Sequence, residues 1–202
     1  MALATRVTNA RIGVLGGTFD PIHIGHLVVA SEVCAALSLD TVLLVPTAAQ
    51  PFKGETSRAS AGQRLEMCRL ATADDDKLQV SDVDVVRGGV TYTVDTLTDL
   101  TAQYPGAELY FIGGADALAR IDEWREPERL RALARWVVVA RPGHAIEVSD
   151  DRTLVVETPE MGVSSTDVRH RVATGAPWRY LVPVSVAAYI VQHGLYLGGS
   201  NV

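Results

Sequence analysis

The chain has 202 residues, 48% of them hydrophobic, and a formal net charge of −6. That length suits one domain with a sizeable core, and an acidic chain without a basic run gives no sign of a general nucleic-acid or membrane surface. Two lysines, Lys53 and Lys77, stand against sixteen arginines. Cys34 and Cys68 fall in helical patterns without partner spacing, so both are expected to be reduced core thiols of a cytoplasmic protein. No leader-like segment and no bilayer-length apolar run is read in the sequence. Residues 1–10 are expected to form a flexible extension to a single domain over 11–197.

Apolar runs alternate with helix-period segments along the chain. Residues 12–15 read as a buried strand, and 26–37 follow as a helix with Leu27, Ala30, Val33, Cys34 and Leu37 on one face. The β-branched run 41–45, closed by Pro46, is a second strand. A loop over 47–58 carries Pro51, Phe52, Lys53 and Gly54. Ser60 opens a helix to about Ala73, with Leu65, Cys68 and Ala71-Thr72 inward. Residues 78–80 and 83–86 both read as short strands before a turn at Arg87-Gly88-Gly89. A helix is expected over 93–103, with Val94, Leu97 and Leu100 as its stripe. Strand 109–112 ends at Gly113-Gly114-Ala115-Asp116, and one or two helices lie between Asp116 and Arg135, Pro127 near the start of the second. Strand 136–140 stops at Arg141-Pro142-Gly143, and 154–157 is the last strand. Helices over 165–173 and 184–193 close the chain. This alternation implies an α/β fold, a doubly wound, mostly parallel sheet with helices on both faces. Ligands in such sheets bind past the carboxyl ends of the strands, where the clusters 16–26, 46–53, 113–116 and 141–143 all fall.

The densest cluster is Gly16-Gly17-Thr18-Phe19-Asp20-Pro21-Ile22-His23-Ile24-Gly25-His26. A glycine-rich turn from strand to helix aims backbone N–H groups at one point, and the helix start adds partial positive charge, an arrangement that binds phosphate. Imidazoles three residues apart at a helix start lie near one side and can donate to phosphate oxygens. Metal binding is the runner-up for this pair, without a third ligand at suitable spacing. Neither a G-x-x-x-x-G-K-[ST] loop nor a G-x-G-x-x-G turn occurs, which argues against a P-loop enzyme and a dinucleotide-binding dehydrogenase. A second cluster, Val163-Ser164-Ser165-Thr166-Asp167-Val168-Arg169, combines a hydroxyl-lined helix start with an arginine one turn on. It serves as a helix cap and forms a second anion site.

The two clusters, in this order and about 140 residues apart, resemble the nicotinate-mononucleotide adenylyltransferases of the H-x-G-H nucleotidyltransferase superfamily. The branch rests on Gly89-Val90-Thr91-Tyr92-Thr93 with Asp95-Thr96-Leu97, on Gly114-Ala115-Asp116, on Trp124 and on Arg141-Pro142-Gly143. Phe52 precedes Lys53 where the family's pattern has a His. The resemblance implies a Rossmann-like nucleotidyltransferase fold that transfers the adenylyl group of ATP to nicotinate mononucleotide, releasing pyrophosphate and giving nicotinate adenine dinucleotide, a step of NAD biosynthesis.

On that resemblance, His23, His26 and Arg169 are the catalytic residues. Gly16, Gly17, Thr18, Phe19, Gly25, Gly114, Asp116, Ser165 and Thr166 bind ATP, with Asp116 on a ribose hydroxyl. Lys53, Tyr92, Thr93, Trp124 and Arg141 bind the acceptor. An acceptor phosphate is already anionic, so catalysis reduces to positioning and charge stabilisation. Mg²⁺ is expected on the ATP phosphates, without a protein ligand. The expected partners are the two small substrates, with neither nucleic acid nor membrane, and self-association is left open. The alternatives are another phosphate acceptor (phosphopantetheine, a lipid-precursor phosphate or the amide mononucleotide) and a non-catalytic nucleotide sensor. Class I aminoacyl-tRNA synthetases share the His23-Ile24-Gly25-His26 signature, but two lysines and 202 residues suit neither their lysine-rich loop nor their RNA-binding domains.

Overall fold

The computed structural model describes residues 10–49, 59–140, 143 and 152–198. The 1–9 extension, Lys53 with its neighbours Pro51, Phe52 and Gly54, Arg141-Pro142 and His144 lie outside the described residues.

Six parallel strands form one sheet in the order β3-β2-β1-β4-β5-β6. They are β1 (Arg11–Gly17), β2 (Thr41–Pro46), β3 (Leu78–Val80), β4 (Glu108–Gly114), β5 (Arg135–Ala140) and β6 (Thr153–Glu157). The helices are α1 (Ile24–Ala36), α2 (Ala61–Thr72), α3 (Val83–Arg87), α4 (Thr93–Gln103), α5 (Ala115–Leu118), α6 (Pro127–Leu133), α7 (Ser165–Thr174) and α8 (Val184–Gln192). Strand alternation divides the apolar side chains between two cores. Ile12, Val14, Leu43, Val45, Leu109 and Phe111 meet Val83 of α3, Val94, Leu97 and Leu100 of α4, Leu118 of α5 and Leu130 of α6. Leu15, Val42, Leu44, Tyr110 and Ile112 meet α1, α2, α7 and α8 on the other face. Burial on both faces is why these strands read as continuous apolar runs.

The chain direction reverses across the sheet between β1 and β4, the neighbours at its centre. Gly13 permits close packing of β1 beside β2, since a Cβ would stand 2.8 Å from Val42 Cγ2. Ser60 caps α2, its Oγ accepting from the Gln63 N–H at 3.2 Å, and Cys34 and Cys68 are buried free thiols. Among the described residues no helix is long and apolar enough to cross a membrane.

One expected strand is corrected. Residues 83–86 are the helix α3, in which Val83 is 6% exposed and Val86 77%. The β-branched run favours a strand locally. The fold overrides it because the Asp84 carboxylate, 1% exposed, accepts from the Thr96 hydroxyl at 2.7 Å and from Arg87 one turn on. A helix lets Val83 and that carboxylate face inward together. Arg87 accordingly ends a helix, and the turn is left to Gly88 and Gly89, both at positive φ.

Candidate active site

The site is built on the turn between β1 and α1. Phe19 takes a φ of 50° and folds its ring back over Gly17, where a Cβ would lie 2.9 Å from the ring. The same ring meets His26 edge-on, with centroids 4.9 Å apart. His23 is the N-cap residue of α1. Its N–H donates to His26 Nδ1 at 3.2 Å, so the proton of a neutral His26 sits on Nε2. The two imidazoles stack with centroids 3.7 Å apart. Gly25 lies beneath them, and a Cβ there would stand 3.1 Å from both His23 Nδ1 and Val163 Cγ1. Burial lowers the pKa of His23 to about 4; burial, then the neighbouring His23, lowers that of His26 to about 3. Both rings are therefore neutral near pH 7, and His23 Nδ1 is buried without a hydrogen-bond partner among the described residues.

The turn is anchored from several sides. The Asp20 carboxylate, 3% exposed, accepts from the Tyr196 hydroxyl at 2.7 Å and the Ala59 N–H at 3.2 Å. Arg169 Nη1 donates to the Asp20 carbonyl at 2.7 Å, and the Ser165 hydroxyl donates to the Pro21 carbonyl at 2.8 Å. Arg169 Nη2 reaches Thr166 Oγ1 at 3.2 Å, while Ser164 Oγ caps α7 by accepting from the Asp167 N–H at 3.1 Å. The start of α7 is thus docked against the β1–α1 turn.

Two cavities open at the carboxyl ends of β1 and β4, where the strand order reverses and ligands collect in such sheets. One, of about 350 Å³, is lined by His23, Gly25 and His26 on one side and by Thr158, Met161 and Val163 on the other. The second, of about 510 Å³, is lined by Gly16, Gly17, Thr47, Thr91, Tyr92, Thr93, Trp124 and Arg125. Leu15, Ile112, Gly113 and Gly114 line both cavities and form the wall between them. Trp124 stands edge-on to Phe111 at 5.9 Å and Trp136 at 6.2 Å, and Arg125 lies over the Tyr92 ring at 4.9 Å. Two cavities thus flank the β1–α1 turn and share one wall.

The family model "Cytidylyltransferase-like" matches residues 14–171. A Corynebacterium glutamicum protein named "Probable nicotinate-nucleotide adenylyltransferase" is 50% identical over 195 residues, 93% of this chain and 89% of the relative. A protein of the same name from Corynebacterium kroppenstedtii is 46% identical over 99% of this chain and 97% of its own. The chain belongs to the nicotinate-nucleotide adenylyltransferase family. Its fold is also that of the Plasmodium falciparum nicotinic acid mononucleotide adenylyltransferase complexed with NaAD, with a TM-score of 0.75 at 20% identity over 93% of this chain and 98% of that one.

Within this adenylyltransferase fold the expected site residues separate into groups. His23, Gly25, His26 and Gly114 line the smaller cavity; Gly16, Gly17, Gly114, Tyr92, Thr93 and Trp124 line the larger. Phe19 is 2% exposed and stands behind His26 as its support. Thr18 lies in the turn, and its carbonyl accepts from Arg64. Asp116 is exposed in the first turn of α5, outside both linings. Ser165, Thr166 and Arg169 gather against the turn rather than along either cavity wall. Lys53 and Arg141 fall outside the described residues.

Sequence reasoning missed Arg64, Thr47 and Tyr196. Arg64 is 1% exposed, and its place one turn before Cys68 and beside Leu65 was the available signal. Thr47 directly follows β2, and its Oγ1 is buried at the larger cavity without a hydrogen-bond partner among the described residues. Tyr196 lies 176 residues beyond Asp20, and nothing local marks it.

Proposed function

We propose that this adenylyltransferase joins ATP and nicotinate mononucleotide across the wall between its two cavities. ATP occupies the smaller one, with its phosphates toward the β1–α1 turn. The acceptor occupies the larger one, its pyridine ring between Tyr92 and Trp124. The observation that carries this reading is the shared wall of Leu15, Ile112, Gly113 and Gly114 beside the stacked histidines. It lets two nucleotides approach phosphate to phosphate.

An oxygen of the acceptor phosphate attacks the α-phosphorus of ATP. The new P–O bond forms as the bond from the α-phosphorus to the β-phosphate oxygen breaks, and pyrophosphate departs. The attacking oxygen is already anionic and needs no base. His23 and His26 donate to the phosphate oxygens as charge builds at the α-phosphorus, a preorganised role. The start of α7, with Ser165, Thr166 and Arg169, steadies the departing pyrophosphate. Mg²⁺ enters as part of the substrate Mg-ATP, held by phosphates and water.

The acid is preferred over the amide. Thr93 opens α4 at the larger cavity, and a helix start favours a carboxylate over a neutral carboxamide. Incubating the protein with Mg-ATP and a panel of phosphate acceptors, with product identification by mass, tests both statements. Nicotinate adenine dinucleotide is the expected main product. A dinucleotide from another acceptor alone, or none, overturns the reading.

A further inference from the structure

We infer that Arg64 is a positioning residue that holds the two substrate cavities in register, an inference that rests on the adenylyl-transfer reading above. Arg64 belongs to α2 and lines neither cavity. Its Nη1 donates to the Thr18 carbonyl at 2.6 Å, and its Nη2 donates to the carbonyls of Thr47 at 2.7 Å and Ala48 at 3.0 Å. Thr18 lies in the phosphate turn after β1, and Thr47 and Ala48 lie in the segment after β2. The tie continues beyond Ala48. Its N–H donates to Thr91 Oγ1 at 3.0 Å, and the Thr91 N–H donates to the Ala49 carbonyl at 2.8 Å. Thr91 leads into Tyr92 and Thr93 on the acceptor side. One guanidinium thus joins the turn that grips ATP to the wall that seats the acceptor.

Core filling alone does not account for this side chain. Arg64 is 1% exposed, and its Nε is buried without a hydrogen-bond partner among the described residues. A buried charge is costly unless its geometry returns something, and an apolar residue of similar volume fills a core as well or better. The planar fork of arginine holds two loops at a fixed angle, which the single ammonium of lysine does not. In-line attack depends on the placement of two bound molecules to within a fraction of an ångström. A displacement of about 1 Å costs about 10²-fold in rate. Loosening the tie therefore affects the encounter of the two substrates more than the affinity for either alone.

The test compares the parent with Arg64→Lys and Thr91→Val. Measured are kcat at saturation, the Kd of each substrate alone by calorimetry, and a melting curve. Arg64→Lys is expected to lower kcat by about ten- to a hundredfold while each Kd stays near the parent's. Thr91→Val leaves the guanidinium in place and cuts the next link; it is expected to lower kcat with the ATP Kd unchanged. A folded Arg64→Lys protein with the parent's kcat overturns the inference. So does a lower melting temperature with all kinetic constants retained. If the lysine variant does not fold, the parent's kcat in Thr91→Val overturns it equally. A parent that forms no dinucleotide sinks the functional reading itself, which separates the two failures.

Discussion

At the scale of single residues, the stacked histidines divide their work. His26 is fixed in place and in tautomer by the His23 N–H and by the edge of Phe19. His23 lines the smaller cavity, while its Nδ1 is buried without a hydrogen-bond partner among the described residues. His23→Ala is expected to lower kcat by about 10²–10³, the range for loss of one preorganised donor, with the fold retained; turnover and a far-ultraviolet spectrum of the same sample check it. A pH effect follows from the burial of the pair. Unfolded histidine titrates near 6.5, whereas the fold holds His23 near 4 and His26 near 3. Above about pH 6.5 the rings are neutral in both states and stability does not depend on them. As pH falls from about 6.5 toward 4, the unfolded chain takes up protons that the folded chain does not, so stability drops. Denaturant midpoints at pH 7 and pH 5 measure the drop, which is expected to be smaller in His23→Gln.

At the scale of elements, the helix starts do most of the positioning, and they were the most readable part of the site. Glycines before His23, hydroxyls before Arg169 and Thr93 after a Gly-Gly turn each signal a helix N-terminus by local chemistry alone. Long strands and helices were legible for the same reason, since burial on both sheet faces leaves continuous apolar runs. The α3 segment was not, because a buried carboxylate paired with Thr96 from another helix decided its conformation. Trp124 follows the short 3₁₀ turn Ile121–Glu123 and stands against Phe111 and Trp136 at the larger cavity. An indole that stacks on a pyridinium gains about 1–3 kcal/mol by analogy with base stacking. Trp124→Ala is expected to raise the acceptor KM by about tenfold and leave that of ATP nearly unchanged. A large fall in melting temperature with both KM values retained would assign it to packing with its aromatic neighbours instead.

At the scale of the whole molecule, the reversal of strand order between β1 and β4 places both cavities at one sheet edge. The sequence pattern announced a parallel sheet and loops gathered at its carboxyl edge. It did not announce the long-range ties: Tyr196 to Asp20, Ser165 to Pro21, and Arg64 to two loops at once. Such contacts join residues whose local sequence is compatible with many neighbours, and only the closed fold selects one. The wall shared by the two cavities also constrains what happens after chemistry. In the arrangement proposed above, the halves of the product fill both chambers, so neither substrate enters while it remains. Nicotinate adenine dinucleotide is therefore expected to inhibit competitively against ATP and against the mononucleotide alike, and initial rates with added dinucleotide against each varied substrate would reveal it. A purely uncompetitive pattern against either substrate would mean that its chamber empties first. In the same arrangement pyrophosphate leaves by itself, whereas the dinucleotide must clear both chambers before the next pair of substrates binds.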